Sequence, residues 1–193
     1  MENWINYPSV VLLVISLFWL LLLDSHRSMV IAFAILVILV FTINIQFWTF
    51  GFALSKLLTS MMALLIMILT PLSGVTTEGE STRTGRIFRA TALGFFLLLV
   101  ILTINETSAF LNLEIDQTFP ALSILVCGFL LFATSQEPFR VILGLLTMLV
   151  GFEIVYSSVE QSLLINGLLA AVFLFIAIVG SYLIASNEKG NDQ

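Results

Sequence analysis

Charge is scarce in this chain. Of 193 residues only 10% are charged, 60% are hydrophobic, and the mean hydropathy is +1.13. Soluble domains carry about 25% charged residues, so that composition excludes a water-soluble globular domain and makes lipid the solvent. Histidine and cysteine occur once each, as His26 and Cys127. A single histidine excludes a His-based metal site and Ser-His-Asp machinery. His26 lies beside Arg27 and reads as a solvated interfacial residue. A single cysteine excludes an internal disulfide. No HExxH, CxxC, Walker or dinucleotide motif is present, and the ligands for haem or an iron–sulfur cluster are missing. The expectation is therefore no cofactor, no metal and no catalytic residue of its own. A basic patch is also lacking, and with a net charge of −5 nucleic acid is excluded as a partner.

What is present is a series of uncharged stretches of membrane-crossing length. They fall near 8–23, 29–46, 49–70, 88–105, 119–135, 141–159 and 162–185. The stretch from Met29 to Pro71 is too long for one crossing, and Asn44, Gln46 and Trp48 supply a polar joint within it. The first stretch reads as a retained span, because Asp24 follows it in place of a small-residue cleavage site. Numbered alternately, the loops place Arg27, Arg83, Arg86, Arg89, Arg140 and Lys189 on one side, with Glu2, Glu106, Glu114, Asp116 and Glu160 on the other. The expected fold is all-α and polytopic, with seven transmembrane helices, the N-terminus out and the C-terminus in. Residues 1–71 form a three-helix segment and 72–87 a polar connector on the cytoplasmic side. Residues 88–185 form a four-helix segment, and 186–193 a polar tail.

Glu153 is the only charge between Val141 and Val159. A carboxylate inside a bilayer carries a desolvation cost of a few to more than ten kcal/mol, roughly, so such an acid is a functional-site hypothesis by default. Lys56 is the one basic residue off the expected side, about 10 Å deep at 1.5 Å per residue. Glu153 lies seven residues inward of Glu160, and Asn166 five inward of Gln161. An acid, a base and an amide thus reach similar depth. Val150, Glu153, Tyr156, Ser157 and Glu160 share one face of the sixth span at i, i+3, i+4 and i+7 spacing, a candidate hydrated path. One reading is a proton or cation relay, with Glu153 titrating, Lys56 tuning it through its charge, and Asn166, Glu160, Tyr156 and Ser157 accompanying them. The other is a structural Lys56–Glu153 ion pair or separate polar anchors, with Lys56 snorkelling to the interface. Small residues at Gly144, Thr147 and Gly151, and at Gly167 and Ala171, are spaced for close backbone approach.

The segment Leu145–Ile154, LLTMLVGFEI, resembles the middle helix of the small K subunit of respiratory complex I. It is similar also to the related three-helix C subunit of Mrp-type antiporters and to component E of membrane-bound hydrogenases. Ser162–Gly167, SLLING, falls where the hydrogenase component has a Leu-Leu-Val-Glu segment, so Asn166 stands at an acidic position. The likeness covers about residues 119–185, with Arg140 in the basic turn. It implies that Glu153 matches the family's intramembrane glutamate. It also implies an accessory, non-redox subunit of a complex I-like, hydrogenase-like or Mrp-like ion-translocating assembly in a prokaryotic-type plasma membrane. Its partners would be lipid, larger antiporter-like subunits and other members of a hetero-oligomeric complex. The rival expectations are a purely structural or assembly subunit beside such a protein and, third, a stand-alone transporter. No matching pair of Gly/Pro-broken helices supports the last.

Overall fold

The computed structural model describes residues 6–70, 83–111, 114–159 and 162–191. They form seven helices and no strand: α1 (Asn6–Leu22), α2 (His26–Asn44), α3 (Phe50–Leu69), α4 (Arg83–Leu111), α5 (Ile115–Ala133), α6 (Pro138–Val159) and α7 (Leu163–Asn191). Among the described residues, α2 to α7 are long and apolar enough to cross a membrane, while α1 is a shorter apolar helix. Exposed Leu, Ile and Phe are spread along α4 and α7. In water such a surface would aggregate; in a bilayer it is solvated. The chain is an integral membrane protein.

The helices extend beyond the expected spans where the sequence turns polar. Helix α4 begins at Arg83, so the end of the expected 72–87 connector is helical, and α7 continues to Asn191 through most of the expected tail. Loss of hydropathy marks the edge of lipid. It does not end the backbone ladder, which closes i→i−4 bonds equally well in water. Glu2, Glu160, Pro71 and residues 72–82 of the connector lie outside the described residues.

Contacts show alternating helix directions. At one end Asp24, between α1 and α2, meets Arg89 of α4 and Arg140 of α6. There too Thr70, which caps α3, shares a 2.5 Å hydrogen bond with Ser181 of α7. At the other end Asn166, near the start of α7, bonds Ser55, near the start of α3. The most extensive interface joins α5 and α6. It is built on glycine: a Cβ on Gly128 would lie 2.3 Å from the backbone nitrogen of Met148, one on Gly144 2.7 Å from that of Phe132, and one on Gly151 2.6 Å from that of Leu125. Backbone pressed on backbone at that range maximises dispersion, which drives helix association in lipid where apolar burial cannot. The close approach expected at Gly144 and Gly151 is therefore present, with α5 as the partner. Gly167 is different, because an added Cβ there meets nothing within 4 Å. A small residue permits close packing but does not compel a neighbour to use it.

Candidate functional site

Lys56 and Glu153 form a buried ion pair between α3 and α6. Lys56 Nζ stands 3.4 Å from Glu153 Oε2, and both side chains are almost wholly enclosed. Lys56 lies six residues after the first residue of α3, and Glu153 six before the last of α6. Each is therefore about 9 Å along its helix from the same end of the bundle. That shared depth is what makes the pairing possible between antiparallel helices.

The surroundings are a cage of low polarity. The ammonium stands over the rings of Trp48 and Phe52, 5.6 and 5.7 Å from their centroids. The two rings meet edge to face. Ring quadrupoles attract a cation most when it is desolvated, so this cradle helps hold the Lys56 ammonium among the helices. A cavity of about 20 Å³ adjoins the pair, walled by Val37, Val40, Leu57 and Val150 and carrying the polar side chains of Asn44 and Ser60. Asn44 ends α2 and is buried, as is Ser60. Asn44 and Trp48 belong to the polar joint seen in the sequence. Ser60 and Phe52 carried no expectation, although Ala53, Lys56 and Ser60 share one face of α3 at i, i+3 and i+7 spacing.

Asn166 is brought near this region but not to the pair. Its amide donates to the Ser55 hydroxyl at 3.2 Å, and Ser55 precedes Lys56 on a neighbouring face of α3. The Ser55 hydroxyl in turn donates to the Phe52 carbonyl oxygen at 2.9 Å. On α6 the Ser157 hydroxyl is turned back on its own helix, donating to the Glu153 carbonyl oxygen at 2.6 Å and not to the carboxylate. Tyr156 is half-buried and stacks on Phe152 at 5.8 Å. Glu160, the expected outer end of the path along α6, lies outside the described residues.

A second charged cluster occupies the opposite end. Asp24 accepts from Arg140 at 2.8 Å and from Arg89 at 3.4 Å, with Arg86 at 3.7 Å. Arg89 also donates to the Leu21 carbonyl oxygen, and Arg140 to that of Leu23, capping the end of α1. Glu137 adds a further carboxylate 3.7 Å from Arg140. Four helices are thus tied at one point. His26, expected to be solvated, is half-buried there with its ring edge-on to Phe139 at 4.8 Å. Among the described residues no group of three or more His, Cys, Asp or Glu is arranged to hold a metal ion. Cys127 is buried and free. No protein-family model, curated protein or solved structure matches the chain.

Proposed function

We propose that this chain is an accessory membrane subunit of an ion-translocating assembly, in which Glu153 and Lys56 form one charged station of a proton or cation path. The observation that carries the reading is the enclosed pair itself, an acid 3.4 Å from a base in the membrane-crossing part of a bundle. Intramembrane ionisable residues facing one another inside a bundle mark ion and proton pathways. Such a pair has two arrangements, charged with charged or neutral with neutral, which differ by the position of one proton. A proton arriving or leaving on either side shifts that balance.

The finer topology belongs to the same reading: seven crossings, the N-terminus outside, the C-terminus inside, in a prokaryotic-type plasma membrane. The Asp24 cluster then lies at the cytoplasmic face, in keeping with the positive-inside bias, and the pair lies in the outer half. The likeness of LLTMLVGFEI to the K-subunit, Mrp and hydrogenase helices suggests the class of assembly, with a larger antiporter-like protein as neighbour. With Asn166 in an acidic position of that pattern and bonded to Ser55, the path would continue from Glu153 through another subunit.

A purely structural role is the alternative. The Ser157 hydroxyl bonded back to its own helix favours it, since its proton is then given to a backbone oxygen and not to the carboxylate. The two readings part in one experiment. Glu153→Gln would be placed in the native membrane, with assembly followed by co-purification in mild detergent and ion gradients followed in inverted vesicles. Loss of the gradient with the assembly intact supports the station. An intact gradient in an intact assembly sinks it, and a larger subunit in the purified complex tests the partner.

A further inference from the structure

Lys56 has more hydrogen-bond donors than the protein around it satisfies. Its ammonium carries three N–H groups. Glu153 Oε2, at 3.4 Å, is beyond the usual 2.7–2.9 Å or so of a charge-assisted bond. Among the described residues no acceptor makes a hydrogen bond to Nζ, although the atom is buried. The Trp48 and Phe52 rings offer their π faces and no lone pairs. Buried charged donors left in that state are costly, and proteins satisfy them with side chains or with ordered water.

The adjoining cavity meets the requirements for such a water. A site needs about 10–15 Å³ and two to four polar partners to hold one molecule; this one has about 20 Å³, with Lys56, Glu153, Asn44 and Ser60 on its wall. Asn44 and Ser60 each offer an acceptor oxygen and a donor. Its position matters as much as its size. Asn44 is the last residue of α2 and Trp48 lies in the turn that follows, so the cavity sits between the ion pair and the α2–α3 joint. Along α6, by contrast, the Ser157 hydroxyl is committed to a backbone oxygen.

We propose that this cavity binds a single water molecule bridging Lys56 Nζ to Asn44 and Ser60, and that Trp48 gates its exchange with the aqueous phase beyond the α2–α3 joint. The bridging water completes the coordination of the ammonium and gives the pair a connection to solvent past Trp48, bypassing Tyr156 and Ser157. The hydration site stands whether or not ions are moved; its use as a path rests on the relay reading.

Solid-state NMR of the full chain in bilayers tests this directly. Lysine occurs only at positions 56 and 189, so Lys189→Arg leaves one ammonium signal. Labelling arginine as well supplies Arg27, which is exposed, as an internal reference for contact with bulk water. In the Lys189→Arg protein, magnetisation from water should reach Lys56 Nζ, and Ala53→Val, which fills the cavity, should abolish that transfer. Exchange of the Nζ protons with bulk water should rise tenfold or more in Trp48→Ala, stay near the original rate in Trp48→Phe, and be unchanged in Tyr156→Ala and Ser157→Ala. If water reaches Arg27 but not Lys56, the site does not exist. Faster exchange in Tyr156→Ala or Ser157→Ala, with none in Trp48→Ala or Trp48→Leu, places the route along α6 and overturns the gate. A water signal at Lys56 together with an intact gradient in Glu153→Gln vesicles would remove the relay and leave the water site standing.

Discussion

The Lys56–Glu153 pair makes a prediction about stability that does not depend on whether the protein moves ions at all. At 3.4 Å two unit charges attract by about 5 kcal/mol at an effective dielectric near 20. Desolvation of each ion, several kcal/mol in a protein interior, offsets most of that. The pair is therefore close to neutral for stability, yet either charge alone is not. Lys56→Met leaves Glu153 buried without its counter-ion, and Glu153→Leu leaves Lys56 held only by ring faces. Each single change should destabilise the bundle by about 3 kcal/mol, the usual cost of breaking a buried pair by removing one partner. The double variant Lys56→Met plus Glu153→Leu, apolar and of similar volume, should fall within about 1 kcal/mol of the original chain. The coupling from the cycle would then be roughly 5 kcal/mol, far outside the ~0.5 kcal/mol scatter of independent sites. Reversible unfolding in mixed micelles of mild and denaturing detergent, followed by helical circular dichroism, supplies all four numbers. Additive single effects, or a double variant as unstable as the sum, would refute a direct pair and leave two separate anchors.

Two further predictions concern the scaffold. Gly128→Ala forces a Cβ to 2.3 Å from the Met148 backbone nitrogen and should cost about 2–3 kcal/mol through overpacking; Gly94→Ala and Gly167→Ala, where a Cβ meets nothing, should be neutral or stabilising by up to ~1 kcal/mol, and equal stability of all three by the same detergent titration would contradict the α5–α6 packing. Asp24→Ala leaves the buried Arg89 and Arg140 guanidiniums without their shared carboxylate, and because Asp24 is partly solvated the expected loss is about 2 kcal/mol, less than the full buried-pair cost; Asp24→Glu should recover part of it, and an unchanged midpoint for Asp24→Ala would show that the arginines are held by the Leu21 and Leu23 carbonyls alone.

How much of this was legible depends on the range of the physics involved. Helical rise is a local rule, so counting residues from the ends of two runs was enough to place Lys56 and Glu153 at one depth. Which faces meet is not local. The sequence pattern put Glu153, Tyr156 and Ser157 on one side of α6, but a side chain can satisfy itself on its own helix, and Ser157 does. Asn166 matched the depth of the pair and found Ser55, because depth fixes one coordinate and helix rotation the other. The Asp24 cluster was the least legible. Asp24 is near Arg27 in sequence, yet its partners are Arg86, Arg89 and Arg140, which only the arrangement of four helices brings together. Gly128 went unnoticed for a related reason: its stretch shows no spaced pair of glycines, and close packing was visible only from the α6 side.

The two charged clusters answer to different physics, and the contrast bears on function. At the Asp24 end Arg86, Arg89 and Arg140 gather around the partly solvated Asp24, with Glu137 as a second acid beside Arg140. Capping the carbonyls of α1 and joining four helices, that cluster has a structural reason for each of its members. The Lys56–Glu153 pair has none of those uses. It caps no helix, joins only α3 and α6, and stands in a place where two apolar side chains of similar volume would hold the helices about as well. What an apolar pair cannot do is exchange a proton internally, coordinate a water from Asn44 and Ser60, or change its charge when a neighbour does. If the double apolar variant folds as well as the original chain, stability gives no account of the two charges. Their effect must then be sought in ion movement or in the charge they present to a partner.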